Sequence, residues 1–174
     1  DVYKRQRYGR TFTLPEAFII KGAAKIYDLQ DPTSKMSKSG KNPKGIVNLL
    51  DDPKVSAKRI RSAVTDNDGV IAFDREKKPG VSNLLTILSA LTSTDIDTLV
   101  SQYEGHGYGD LKKDTAEALE DFVTPLRTRV DEILSDRAEL ERILQRGAER
   151  ARECSAPVLD SCLLYTSDAA DERS

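Results

Sequence analysis

The sequence is poor in the residues that carry most metal and redox chemistry, with two cysteines and one histidine in 174 residues. Cys154 and Cys162 are eight apart, without paired histidines or further cysteines to complete a tetrahedral zinc site. His106 stands in Glu104-Gly105-His106-Gly107-Tyr108-Gly109, where the glycines mark a turn and no nucleophile or carboxylate pairing is evident, so it reads as a surface residue. No apolar run approaches the roughly 20 residues that cross a bilayer, and the start lacks a signal-peptide pattern. A cytoplasmic location is therefore expected. Charge imbalance is absent too: a net charge of -2 with 32% charged residues gives no global basic footprint, which leaves any nucleic-acid contact to local patches. Methionine occurs once, at Met36, so the chain is expected to be a piece of a longer product.

What is present suffices for a modest core. Hydrophobic residues make up 38% of the chain, enough for one domain or one domain plus part of another. Residues 7–30 alternate apolar and polar positions at Tyr8, Phe12 and Leu14, then give brief apolar runs at Phe18-Ile19-Ile20 and Ile26-Tyr27. They read as the last strand and connections of a sheet. Asn42-Pro43 and Asp52-Pro53 each set a capping side chain before a proline at a first helical position, where its missing N–H costs nothing. The second predicted helix, residues 53–64, puts Ala57, Ile60 and Val64 on one face and Lys54, Lys58 and Arg61 on the other.

Asp66-Asn67-Asp68-Gly69 is a turn, followed by a possible short strand at Val70-Ile71-Ala72-Phe73. Its acids invite a calcium-loop reading, but the terminal glutamate such a loop needs is missing. Helices are expected over 80–91 and over 96–103, the latter capped by Thr94. After Asp110, Leu111, Thr115, Ala118, Phe122, Leu126, Val130 and Ile133 recur at helical spacing, in a helix that Pro125 should kink or divide. A last helix over 137–153 should bury Leu140, Ile143, Leu144 and Ala151. Its other side carries Arg142, Arg146 and Arg150, a stripe that suits RNA phosphate as well as solvent.

The chemistry gathers at Asp31-Pro32-Thr33-Ser34-Lys35-Met36-Ser37-Lys38-Ser39-Gly40. Lysine ammoniums are compact charges that reach flexible phosphates, and serine hydroxyls and backbone amides near glycine add neutral donors. Such a loop suits a polyphosphate. It is not a Walker A loop, because Gly40 is followed by Lys41-Asn42.

Lys35-Met36-Ser37-Lys38-Ser39 is the KMSKS signature of class I aminoacyl-tRNA synthetases, and it follows Asp31-Pro32-Thr33 as in the tryptophanyl and tyrosyl branch. Ser62-Ala63-Val64-Thr65-Asp66, Lys78-Pro79-Gly80-Val81-Ser82-Asn83-Leu84-Leu85, Tyr103-Glu104-Gly105 and Gly107-Tyr108-Gly109 all resemble the bacterial tryptophanyl-tRNA synthetases. The resemblance covers about residues 7–159. Residues 1–6 and 160–174 do not share it and are expected to be a non-native leader and tail.

The resemblance implies an α/β piece that is predominantly α. Residues 7–41 would end a Rossmann-type catalytic domain, and residues 42–159 would form an all-α domain contacting the tRNA anticodon. It also implies a two-step reaction, in which tryptophan attacks the α-phosphate of ATP to give tryptophanyl-adenylate and then passes to tRNA(Trp). The expected ATP contacts are Ile26, Lys35, Met36, Ser37, Lys38 and Ser39. Lys35 and Lys38 would carry catalysis by neutralising charge on the leaving pyrophosphate. Magnesium would come with the ATP, with no protein metal site, and the whole enzyme would be a homodimer. The family's histidine-rich HIGH motif and its amino-acid pocket are not in this sequence, so the chain alone should not activate tryptophan. A tyrosyl-tRNA synthetase piece and a non-catalytic helical RNA-binding module are the alternatives.

Overall fold

The computed structural model describes residues 16–17, 25–40 and 42–171. The chain divides into two compact units, Ile19–Asp131 in one and Asp1–Phe18 with Glu132–Ser174 in the other. Five α-helices follow in chain order among the described residues: α1 Pro53–Arg61, α2 Pro79–Thr92, α3 Ile96–Gln102, α4 Tyr108–Ser135 and α5 Arg137–Asp171. The leader at 1–6 and the alternating stretch from Tyr8 to Phe18-Ile19-Ile20, apart from residues 16–17, lie outside the described residues. Among those described there is no named strand, and the expected sheet end is represented by one antiparallel bridge between Tyr27 and Lys35.

The core of the first unit forms where these elements meet. Leu29, Ile60, Val81, Leu84, Leu85 and Leu111 are at most 2% exposed. Burying a leucine fully contributes about 1.5–3 kcal/mol, so these positions decide how the helices pack. Helix α2 is buried on every side over nine consecutive residues, from Gly80 to Leu88, with Ser82, Asn83 and Thr86 buried among its apolar side chains. At its start a Cβ on Gly80 would lie 2.1 Å from the Val64 carbonyl oxygen, so only glycine lets the helix approach this closely. Helices α2 and α3 turn on one another by 109°.

The Asn42 cap forms, with its carboxamide oxygen accepting from the Lys44 N–H at 3.0 Å, but it opens only a three-residue 3-10 turn, Pro43–Gly45. Gly45 is pressed against the Asp28 carboxylate and Ile46 is already extended, which ends the turn. Val64 falls beyond α1 and is 45% exposed. Residues 70–73 belong to no strand among the described residues. Helix α3 is capped by Asp95, which accepts from the Asp97 N–H at 3.1 Å, whereas the carbonyl of Thr94 receives the Ser89 hydroxyl.

Helix α4 runs through Pro125 undivided. The proline's missing N–H would have bonded the carbonyl of Asp121, and both positions are exposed, so water can satisfy that oxygen. Its buried stripe is Leu111, Thr115, Ala116, Leu119 and Val123, rotated from the expected one. Phe122 is 51% exposed and Leu126 38%. Helix α5 continues past Glu153 to Asp171, through Pro157. Leu140 and Ile143 are half-buried, but Leu144, one position farther round, is 63% exposed, and Ala151 is exposed too.

Candidate active site

The lysine loop is a hairpin built from its own polar side chains. Asp31 accepts from the Thr33 hydroxyl and the Ser34 hydroxyl, each at 2.6 Å, and from the Thr33 N–H at 3.2 Å. Those hydrogen bonds, Ser34 first, hold the Asp31 carboxyl below its ordinary range. The Asp28 N–H donates to the Ser34 carbonyl at 2.9 Å and the Met36 N–H to the Ile26 carbonyl at 3.0 Å. These two bonds flank the pairing of Tyr27 with Lys35. A second turn closes at the tip, where the Gly40 N–H donates to the Ser37 carbonyl at 2.9 Å and the Ser37 and Ser39 hydroxyls lie 3.1 Å apart.

Met36 and Ile26 are half-buried against the core, whereas Lys35, Ser37, Lys38 and Ser39 are exposed. The loop is thus held by its methionine while its polar side chains stay at the surface, where a ligand can reach them. Of the expected contacts, Ile26, Lys35, Met36, Ser37 and Lys38 line one open cavity of about 920 Å³, and Ser39 stands outside its lining. The same cavity is lined by the apolar side chains of Leu49, Leu50, Leu126 and Val130. Ammoniums and aliphatic surface in one cavity suit a polyanion joined to an apolar or planar body.

Lys25 belongs to the same cavity and was missed in the sequence. Its Nζ lies 4.8 Å from the centre of the Tyr27 ring, a cation–π distance. Two-residue alternation could have found it, because Lys25 and Tyr27 share a face of the extended segment and Tyr27 pairs with Lys35. The cavity therefore has three ammoniums.

The arginines expected to contact RNA lie in the other unit, on α5. Arg142 and Arg146 both reach Glu139, at 3.0 and 3.5 Å, and Arg150 is exposed. His106 is exposed, with its ring edge-on to Tyr103 at 5.9 Å. Cys154 is a free, exposed thiol. Among the described residues no group of three or more His, Cys, Asp or Glu could hold a metal ion, and no single helix is long and apolar enough to cross a membrane.

The family model for class I tRNA synthetases of the W and Y type matches residues 2–124. The chain belongs to that family. Its KMSKS loop and the Tyr27–Lys35 hairpin lie inside the matched region. The tryptophan–tRNA ligase of Corynebacterium efficiens is 69% identical over 153 residues, which are 88% of this chain and 44% of the relative. A crystal structure of tryptophanyl-tRNA synthetase from Mycoplasma pneumoniae superposes with a TM-score of 0.76 at 33% identity, covering 86% of this chain and 45% of that one. The enzyme from Campylobacter jejuni, solved with ADP and tryptophan, gives 0.62 at 26% identity over 95% of this chain and 50% of that one. The chain thus spans about half the length of the relatives it matches. The fold is that of class I synthetases, represented here by a predominantly helical part.

Proposed function

We propose that this chain is the ATP-loop part of a tryptophan–tRNA ligase, which activates tryptophan with ATP and transfers it to tRNA(Trp). The observation that carries the proposal is the gathering of Lys35, Ser37 and Lys38 with Ile26 and Met36 on one cavity. In the activation step the tryptophan carboxylate attacks the α-phosphorus, the bond from that phosphorus to the bridging oxygen breaks, and pyrophosphate departs with the electron pair. Charge builds on the leaving group, so the protein's task is positioning and neutralisation. Lys35 and Lys38 stand on the loop where their ammoniums can follow the departing oxygens, and Ser37 and Ser39 supply neutral donors. Met36 and Ile26 offer apolar surface to the adenosine. Magnesium would arrive on the ATP phosphates. The hairpin's exposed tip can close over the nucleotide and open for release.

The finer organisation belongs to the same proposal. Residues 7–41 would complete a Rossmann-type catalytic domain and residues 42–159 would form the helical domain that meets tRNA, with Arg142, Arg146 and Arg150 as candidate phosphate contacts. The whole enzyme would be a cytoplasmic homodimer, and residues 1–6 and 160–174 would be foreign to it.

The test is a chimera in which residues 7–159 replace the matching segment of the Corynebacterium efficiens relative. ATP–pyrophosphate exchange is then measured with tryptophan and with tyrosine. Exchange with tryptophan alone supports the proposal. Exchange with tyrosine moves the chain to the sister enzyme, and its absence with both, from a folded chimera, returns the chain to a helical RNA-binding role.

A further inference from the structure

The register of the lysine hairpin depends on one side chain outside it. Tyr27 pairs with Lys35, and the bonds of that pairing are made by the neighbours, Asp28 to Ser34 and Met36 to Ile26. In such a pair the N–H and C=O of the central residue point away from the partner strand. A third strand would ordinarily take them. Here a helix does: the Tyr27 N–H donates to Asn83 Oδ1 at 2.9 Å, and Asn83 Nδ2 donates to the Tyr27 carbonyl at 2.9 Å. One carboxamide thus stands in for a strand's peptide group, and the two backbone groups dictate which way it faces.

Asn83 is suited to hold this register rather than merely to satisfy it. It is 3% exposed, on the first turns of α2 between Val81 and Leu84-Leu85, all three of which are fully buried. The helix is therefore a fixed reference against which Tyr27 is set. Neighbouring residues tie the same segment elsewhere, since the Leu29 N–H donates to the Gly45 carbonyl at 3.0 Å and the Val64 N–H to the Leu29 carbonyl at 2.8 Å. Those bonds secure the far end. At Tyr27, directly across from Lys35, the anchor is the carboxamide.

We infer that Asn83 is a positioning residue for the KMSKS loop, fixing the height of Lys35 and the Met36 backbone through Tyr27. The inference rests on the proposed ATP role of that loop for its functional consequence, and on the hydrogen bonds alone for its structural one. Asp at this position would keep the acceptor and lose the donor, setting a carboxylate oxygen against the Tyr27 carbonyl. Ala would lose both, and a cavity of about 220 Å³ bordering Tyr27 and Asn83 would let water replace part of what was lost.

The experiment compares the 174-residue chain with Asn83→Asp and Asn83→Ala by amide hydrogen exchange and by equilibrium dialysis of ATP with magnesium. The expected result is exchange about tenfold faster at Asp28 and Met36, the factor one net hydrogen bond supplies, with the amides of Thr115 to Leu119 in α4 unchanged. ATP binding should weaken by about tenfold in Asn83→Ala and by more in Asn83→Asp. Unchanged exchange at Asp28 and Met36 overturns the inference. So does equal acceleration in α2 and α4, which would make Asn83 a general stabiliser. If the unsubstituted chain fails to bind ATP, the two substitutions are compared in the chimera, where slower ATP–pyrophosphate exchange is expected and an unchanged rate overturns the functional consequence; hydrogen exchange at Asp28 and Met36 decides the structural role of Asn83 in either case.

Discussion

The Tyr108 hydroxyl lies 2.7 Å from Asp68 Oδ1, across 40 positions of sequence. It joins the start of α4 to the turn before α2, and Lys78 completes the group. Lys78 Nζ bonds Asp68, reaches Asp66 Oδ1 at 3.2 Å and donates to the Tyr108 oxygen at 3.1 Å, with its side chain only 11% exposed. The cluster binds together three of the stretches that resemble the tryptophanyl branch.

Its pH dependence follows from the shifts. Burial, then the hydrogen bonds to Asp66 and Asp68, push Tyr108 up to about 12 from 10.0. Burial opposes the Lys78 ammonium, but its bonds to Asp68, Tyr108 and Asp66 together outweigh that and raise it above 10.5. The bond from Lys78, then that from Val70, hold Asp68 well below 3.8. Raised groups contribute fully below their unfolded values and lose the contribution as pH climbs through the folded ones, and a depressed carboxyl does the reverse in acid. The cluster should therefore hold from about pH 4 to about pH 10 and fail between about 10 and 12. Circular dichroism at 222 nm through an alkaline titration should show that loss. Tyr108→Phe should be less stable at pH 8 and fall less steeply above pH 10, and an identical slope would remove Tyr108 from the account.

Gly80→Ala should destabilise the first unit, because the new methyl would sit 2.1 Å from the Val64 carbonyl oxygen. Overpacking against backbone costs about 1–3 kcal/mol, or roughly 5–15 °C in melting temperature for about a hundred residues. A thermal melt checks it. An unchanged midpoint would mean that the junction between α1 and α2 yields freely.

Lys38→Ala, made in the chimera, should lower kcat for tryptophan activation by roughly a hundredfold with little change in KM for tryptophan, the pattern of a contact made in the transition state. Single-turnover adenylate formation at the unsubstituted rate would exclude Lys38 from the step. Lys25→Ala tests the third ammonium of the cavity and should raise KM for ATP more than it lowers kcat, since Lys25 is partly engaged with the Tyr27 ring.

Replacing Arg142, Arg146 and Arg150 together by alanine in the chimera should weaken tRNA binding and flatten its salt dependence by about 2 in the slope of log K against log salt, at roughly 0.7–0.9 for each lost phosphate contact. Filter binding between 50 and 200 mM salt, a range over which such contacts are read, measures it. An unaltered slope would leave the stripe to Glu139 and solvent.

The sequence by itself determined the signature loop, the family resemblance and the existence of the α-helices, because these rest on local order: five consecutive residues in 35–39, the cap at Asp52, and helical spacing after Asp110. Only the tertiary structure decided which face of α4 is buried. Leu126 and Val130 line the cavity while Leu119 and Val123 enter the core, and adjacent apolar stripes on one helix differ only in what packs against them. It likewise decided that Lys25 joins the lysine loop and that Asn83 completes the pairing of Tyr27. These contacts join positions up to 56 apart. Propensity and periodicity act over a few residues, whereas a carboxamide meets a distant peptide group only after the core has brought them together.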